Sequence, residues 1–358
     1  MLHTEWSEAW GGQEIRIINE MIAIREAGLG VYLACKKDSV ILEKAKEHNI
    51  KTFILPFRGN VDLKTIFLLI RIIKAEGINI VNTHSGKDTW VGGIAAKLAG
   101  VKFIRTRHLS HKINKSRLNF INELADFVFT TGESVRQDMI KNNRILPERI
   151  ISIPTGVDSD LFDPVKYSKG PLRNQLNIPD EAIVVGIVAV LRDSKRHDVF
   201  LDLCLQLKVD FPDRKFKFLI VGDGPMKESI VKYIAKLEIE DDVLMLGHIE
   251  NIPEVFASLD IFLFTADRRE GVPQSVMQAL LMNVPTVSTN DGSTADLFFN
   301  NNFLISDSKF KSLYKNLNRL ICDMKKPNFS SDSRQFIVEN FSKQIATKKI
   351  LECYRKIL

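Results

Sequence analysis

Arg192 and Lys195 follow a β-branched run and precede a helical segment, and two cations placed there beside free backbone N–H groups suit a diphosphate. Glu270-Gly271-Val272-Pro273 repeats the arrangement further along the chain. Its carboxylate can accept hydrogen bonds from sugar hydroxyls, its glycine admits close approach to the backbone, and its proline suits the first turn of the next helix. Gly11-Gly12, His84, Arg107-His108 and Thr155-Gly156 stand at similar strand ends or helix starts. Together these types provide phosphate and sugar recognition with histidine near at hand. Each also has a plainer use: a tight turn for Gly-Gly, structural hydrogen bonds for the histidines, the helix dipole for Glu270, a solvated loop for the two cations. Gly222-Asp223-Gly224-Pro225 reads as a turn with no chemistry of its own. The sequence has no HExxH and no CxxC, so no metal site is expected.

The elements that must hold these residues follow from periodicity. Short β-branched runs at 31–35, 52–57, 79–84, 101–107, 127–131 and 150–154 alternate with helical spacing, the pattern of a parallel α/β sheet. The first helix shows Ile15, Ile18 and Ile22 on one face, starts at Gly11-Gly12 and is closed by Gly28 and Gly30. Periodicity lapses over 158–180, where prolines, glycine and aspartates read as a linker. A second series begins at 183–191 and continues through 216–221, 243–246, 261–265 and 285–288. The tail reads as one long helix. The expected division is therefore 1–165, 166–332 and a terminal helix 333–358, with two doubly wound domains. In open parallel sheets ligands bind beyond the carboxyl ends of the strands, which is where the residues above fall.

At 358 residues, 45% hydrophobic and 26% charged, the chain has room for two cores and is not disordered. No apolar run reaches the ~20 residues that a membrane span requires. Residues 1–13 carry Glu5 and Glu8 and make no secretory signal, so a cytoplasmic location is expected. Cys35, Cys204, Cys322 and Cys353 are scattered, as in a reduced compartment. The net charge of +6 is mild, but 102–117 holds six Lys or Arg and no acid, which suggests an anionic partner. Interleaved aromatics and nucleic-acid motifs are missing, so phosphorylated substrate or anionic lipid is expected rather than nucleic acid.

Taken in order, Gly11-Gly12, His84, Arg107-His108, the Thr155-Gly156-Val157-Asp158 turn, Arg192 with Lys195, and Glu270-Gly271-Val272-Pro273 through Gln278 resemble the GT4 family of retaining glycosyltransferases along nearly the whole chain. The strongest blocks are ADRREGVPQSVMQALLMNVPTVST at 266–289, similar to the family's E-x7-E region, and GIVAVLRDSKRHD at 186–198, similar to its phosphate-binding loop. The resemblance implies a GT-B fold: two Rossmann-like domains with a cleft between them, the acceptor mainly in the first, the nucleotide sugar mainly in the second, and the terminal helix crossing back to the first. It further implies that Arg192 and Lys195 neutralise the donor diphosphate, that Glu270 binds donor-sugar hydroxyls, and that backbone N–H groups of Gly271, Val272 and Pro273 meet a phosphate. His108 would lie near the reacting sugar, Gly12 would let its loop approach the donor phosphates, and His84 with Arg107 would serve the acceptor. The chain departs from the family where Gln278 replaces the second acid, at the position that holds the ribose, and where Val190 stands in place of an arginine that Arg192 would have to replace.

The expected function is then transfer of a sugar with retention from an NDP-sugar to a glycan or lipid-linked saccharide of bacterial surface polysaccharide or lipopolysaccharide. The expected partners are these two substrates and, through the basic segment, a peripheral contact with the inner face of the cytoplasmic membrane. No cofactor and no metal are expected. A GT-B sugar-nucleotide epimerase and a non-catalytic sugar-nucleotide-binding subunit are the alternatives.

Overall fold

The structure is a computed structural model that describes residues 1–108, 113, 117–267, 271–298, 305–323 and 331–357. Its chain divides into two compact units, Met1–Thr155 with Gln344–Leu358, and Gly156–Lys343.

The strands of unit 1 are β1 (Leu2–Glu5), β2 (Tyr32–Cys35), β3 (Lys51–Ile54), β4 (Ile80–Thr83), β5 (Lys102–Arg107), β6 (Phe127–Thr130) and β7 (Ile150–Ser152). They form one parallel sheet in the order β3-β2-β1-β4-β5-β6-β7. Between them run α1 (Gly12–Glu26), α2 (Val40–Glu47), α3 (Leu63–Ala75), α4 (Gly86–Ala99) and α5 (Glu133–Asn143). Local chemistry fixes the helix ends. The Asp62 carboxylate accepts from the Thr65 N–H at 3.2 Å to start α3, and α4 opens on a capping box of Ser85 and Asp88 and closes on Gly100 in the left-handed conformation.

Unit 2 contains α6 (Gly170–Gln175), β8 (Ile183–Val188), α7 (His197–Asp210), β9 (Phe216–Val221), α8 (Lys227–Lys236), β10 (Val243–Gly247), α9 (Ile252–Ser258), β11 (Ile261–Phe264), α10 (Gln274–Leu281), β12 (Thr286–Thr289), β13 (Ile305–Ser306), α11 (Phe310–Asp323) and α12 (Ser331–Phe341). Its parallel sheet runs β10-β9-β8-β11-β12-β13. Buried on both faces, these strands read as near-continuous apolar runs, which is why the sequence shows most of them plainly.

Four features differ from the sequence reading. β1 is not visible as a strand, because three of its four residues are His3, Thr4 and Glu5, all fully buried. The face of α1 that is buried carries Ile17, Met21 and Ile24 with Arg16 and Glu20, while Ile15 is 42% exposed. The division between units lies at 155/156 rather than 165/166, since Val157 and Phe162 enter the unit 2 core and the buried Arg173 donates to the Ser258 oxygen at 2.9 Å and pairs with Asp260 at 2.7 Å. The tail is two helices: α12 packs on α10 within unit 2, and α13 (Lys343–Ile357) belongs to unit 1. Just before α13, Val157 forms a parallel bridge with Ser342, its N–H donating to the Phe341 oxygen at 2.9 Å and its oxygen accepting from the Lys343 N–H at 3.0 Å.

Candidate active site

Both sheets change winding direction once, between β1 and β4 in unit 1 and between β8 and β11 in unit 2. At such a point adjacent crossovers leave on opposite faces, and a crevice opens beyond the strand ends. Gly12 and His84 stand beside the first of these points, and Arg192 with Lys195 beside the second, each within its own unit.

In unit 2, β8 runs into the loop 189–196, whose turn Asp193–Lys195 leads into α7. Arg192 is exposed and Lys195 half-buried, with its ammonium 5.3 Å from the centre of the Phe264 ring. The Thr265 hydroxyl donates to the oxygens of Lys195 at 2.8 Å and Arg196 at 3.1 Å, and the Asp267 N–H donates to the Ser194 oxygen at 3.2 Å. The segment after β11 therefore clamps the loop 189–196. Arg196 adopts a left-handed conformation with φ of 52° and is held between Asp198 and Asp267, which raise its pKa. It is a structural cation. Val190 is 48% exposed and adds an apolar surface to this loop.

The turn after β9 is a part of this site that the sequence reading set aside. Gly222 has φ of 137°, and a Cβ built on it would lie 2.0 Å from the Ala189 oxygen; at Gly224, φ is 156° and the same atom would lie 2.7 Å from the Leu191 oxygen. The two glycines let the backbone of this turn lie directly against the loop 189–196, where the Leu191 N–H donates to the Asp223 oxygen at 3.0 Å. A pocket of about 270 Å³ adjoins Arg192 on the side of α7 and α8, with Met226 and Tyr233 among its walls.

Of the sugar-binding block, Glu270 lies outside the described residues. Gly271 accepts from the Ser293 N–H at 3.3 Å, and Pro273 caps α10. The Val272 side chain is part of the apolar core, so only its backbone is offered to a ligand. Gln278 is half-buried on α10.

In unit 1, Gly12 begins α1, and a Cβ added to it meets nothing within 4 Å. This is open ground beside the end of β1. There the Glu5 carboxylate accepts from the Ser7 N–H at 2.8 Å and the Gln13 amide at 2.5 Å. Burial, reinforced by Asp88, pushes Glu5 up to about 8. Asp88 accepts from the Thr4 hydroxyl, the His84 N–H and the Ser85 N–H, each at 2.8 Å, and is raised chiefly by burial. Arg105 lies in the sheet, where burial brings it down to about 10.

The sequence reading placed His84 against an acceptor. The structure instead makes it 1% exposed, with both ring nitrogens engaged: Nε2 with His3 Nδ1 at 2.8 Å and Nδ1 with His108 Nε2 at 2.9 Å. His108 is half-exposed at the end of β5, Arg107 is half-buried beside it, and burial depresses the basicity of both. Within the basic segment 102–117, Arg105 is buried and Arg107 half-buried; residues 109–112 and 114–116 lie outside the described residues.

Sequence reasoning missed His3, Glu5, Asp88 and Thr265. The first two sit in a strand too polar to be noticed, while Asp88 and Thr265 act through contacts between segments far apart in the chain. Arg16 was missed as well: it donates to the Ile153 oxygen at 2.5 Å and so holds the exit of β7 to α1. Nearby, the Tyr354 hydroxyl of α13 donates to the buried Glu20 carboxylate at 2.8 Å. Among the described residues, no group of three or more His, Cys, Asp or Glu has the placement of a metal site, and no helix is long and apolar enough to cross a membrane.

Two family profiles match this chain. "Glycosyltransferase Family 4" covers residues 10–161 and "Glycosyl transferases group 1" covers residues 168–335. An Escherichia coli protein named UDP-Gal:alpha-D-GlcNAc-diphosphoundecaprenol alpha-1,3-galactosyltransferase is 26% identical over 346 residues, which cover 90% of this chain and 88% of the relative. A glycosyltransferase structure from Rickettsia africae matches with a TM-score of 0.90 at 20% identity, covering 99% of this chain and 97% of its own. Anabaena HepE, solved in complex with UDP, matches with a TM-score of 0.84 at 19% identity over 99% of both chains. These likenesses identify the fold as GT-B.

Proposed function

We propose that this chain, which belongs to the GT4-like glycosyltransferases, moves a sugar with retention of configuration from a nucleoside diphosphate sugar to a lipid-linked saccharide or related glycan acceptor in bacterial surface polysaccharide or lipopolysaccharide synthesis. The observation that carries the donor half is the clamped loop of unit 2: Arg192 and Lys195 precede α7 at the switch point of the sheet, beside the segment that leads through Gly271 to α10. As the bond from the anomeric carbon to the β-phosphate breaks, negative charge grows on the departing diphosphate. Fixed cations and helix N-termini stabilise that charge without a metal. The acceptor oxygen forms its bond to the anomeric carbon on the face the diphosphate leaves, and the acceptor's proton passes to a phosphate oxygen. His108 is assigned to the reacting sugar and Arg107 to the acceptor, Gly12 to the approach of its loop to the donor phosphates, Glu270 to the donor-sugar hydroxyls, and Gln278 to the ribose.

The lipid-linked acceptor is supported by the name of the Escherichia coli relative, a transferase to a diphosphoundecaprenol-linked sugar. What supports a peripheral contact with anionic membrane is α3 and the turn before it, where Val61, Leu63 and Phe67 are 78%, 74% and 60% exposed among Lys64, Arg71 and Lys74.

The test is a calorimetric and thermal-shift screen of UDP-, GDP-, ADP- and CMP-sugars, followed by transfer assays with polyprenol-diphosphate saccharides in EDTA. Binding of one donor, its loss in Lys195→Ala and Glu270→Ala, and NDP release together with a glycosylated acceptor are expected. Conversion of the donor to its epimer without acceptor, or a rate that collapses in EDTA, would overturn the reading.

A further inference from the structure

His108, His84 and His3 make a continuous line of hydrogen bonds from the half-exposed end of β5 into the buried interior of the unit 1 sheet. The rings are also in contact along that line, with centroids 5.2 Å apart for His84 and His108 and 5.1 Å for His3 and His84, the latter pair stacked within 10°. At its inner end His3 Nε2 is buried with no hydrogen-bond partner. All three rings are held neutral. Burial is the first cause for each; the neighbouring histidines and Arg105 add to it for His84, Arg16, Arg105 and Arg107 for His108, and the chain's amino group for His3.

A neutral imidazole has one N–H and one lone pair, so a line of three such rings has only two fully bonded states. In one, His108 donates from Nε2 to His84 Nδ1, His84 donates from Nε2 to His3 Nδ1, and His108 Nδ1 carries a lone pair. In the other, every proton sits on Nδ1, both hydrogen bonds reverse, and His108 Nδ1 is a donor. Any mixed state sets two protons or two lone pairs against each other inside the sheet and loses a buried hydrogen bond.

We propose that His84 and His3 are positioning residues that lock the tautomer of His108 to their own, so that its outer nitrogen donates to or accepts from the substrate only as the whole line does. The line ends in the core, where His3 Nε2 has no hydrogen-bond partner among the described residues. It therefore serves as a lock on His108 and not as a route for protons. The use made of the lock rests on the reading of His108 as the residue beside the reacting sugar; the lock itself does not.

The test is the ring-nitrogen shift pattern of the 15N-histidine-labelled full chain at pH 7, which separates the two neutral tautomers and the charged ring. His3, His84 and His108 are expected to share one tautomer, all Nε2–H or all Nδ1–H. In His84→Leu, the two His108 nitrogens should move toward averaged shifts, and kcat should fall about tenfold or more while the donor Kd stays unchanged. In His84→Asn, whose amide takes the place of Nδ1, kcat should recover to within a few-fold of wild type. Mixed tautomers or a charged ring in the wild type would overturn the proposal, as would an unchanged His108 pattern in His84→Leu. If His84→Leu does not fold, the wild-type pattern and the Asn variant still decide. A folded wild type with the shared tautomer but no transferase activity would overturn the proposed function and leave the lock standing.

Discussion

The Thr265 hydroxyl donates to the backbone oxygen of Lys195 at 2.8 Å, fastening the first residue after β11 to the loop that follows β8. The loop that carries Arg192 and Lys195 is thus held by a side chain seventy residues further along, across the switch point of its own sheet. Thr265→Val keeps the shape but removes the hydroxyl proton that the partly buried Lys195 and Arg196 oxygens share. It should cost about 1–2 kcal/mol of stability and weaken nucleotide-sugar binding about tenfold, while Thr265→Ser keeps both. Thermal melts and calorimetric titration of the three proteins check this.

Gly222→Ala tests the contact between the β9 turn and the phosphate loop. The new methyl would fall 2.0 Å from the Ala189 oxygen at a backbone angle that L-residues rarely adopt. Combined overpacking and backbone strain should cost about 3 kcal/mol. Denaturant unfolding should show that loss, and any protein that does fold should bind donor less tightly, because the loop must move to make room.

Tyr354→Phe removes the hydroxyl that reaches from α13 to Glu20. That carboxylate is almost fully buried, and its second oxygen already has no hydrogen-bond partner. The loss should be about 1–3 kcal/mol, read as a lower melting temperature of unit 1. Donor binding in unit 2 should be unchanged.

The histidine line makes stability depend on pH. His3 has its pKa lowered from 6.5 to about 3 in the folded chain, so between these values the unfolded chain binds a proton that the folded chain does not. Stability is present above pH 6.5 and is lost as the pH falls toward 3; each such histidine contributes a slope of up to ~1.4 kcal/mol per pH unit. Glu5 acts in the opposite sense. Its pKa rises from 4.5 to about 8, so stability is lost as the pH increases through that window. With three depressed histidines against it, the acid-side loss should dominate between pH 6 and 5. His3→Asn should flatten urea-unfolding stability in that range by about one proton's slope, and Glu5→Gln should steepen it.

Much of the fold was legible because parallel strands covered on both faces must be apolar throughout, as β8, β9 and β11 are. β1 was illegible for the opposite reason. His3, Thr4 and Glu5 are spent on the buried polar network at the switch point, so the strand most central to the candidate site looks least like a strand. Arg192, Lys195 and the histidines were found because polar residues at strand ends stand out from the pattern. The role of His84 was not, since only the three-dimensional structure brings His3 and His108 to either side of it. Gly222 and Gly224 were visible as a turn, but what they turn against depends on the pairing of β8 with β9.

The chain passes into unit 2 at Gly156, returns to unit 1 after Lys343, and pairs with itself where it does so, Val157 against Ser342. Unit 2 is thus an insertion within unit 1, closed at its own base. During synthesis the usual order, in which the N-terminal body finishes first, is reversed. All seven strands of unit 1 leave the ribosome before the insertion, but Ile17 and Met21 must wait for Ile350 and Tyr354 of α13, made after it, to complete the apolar cluster they share. A nascent chain paused anywhere inside the insertion therefore carries an unfinished first body.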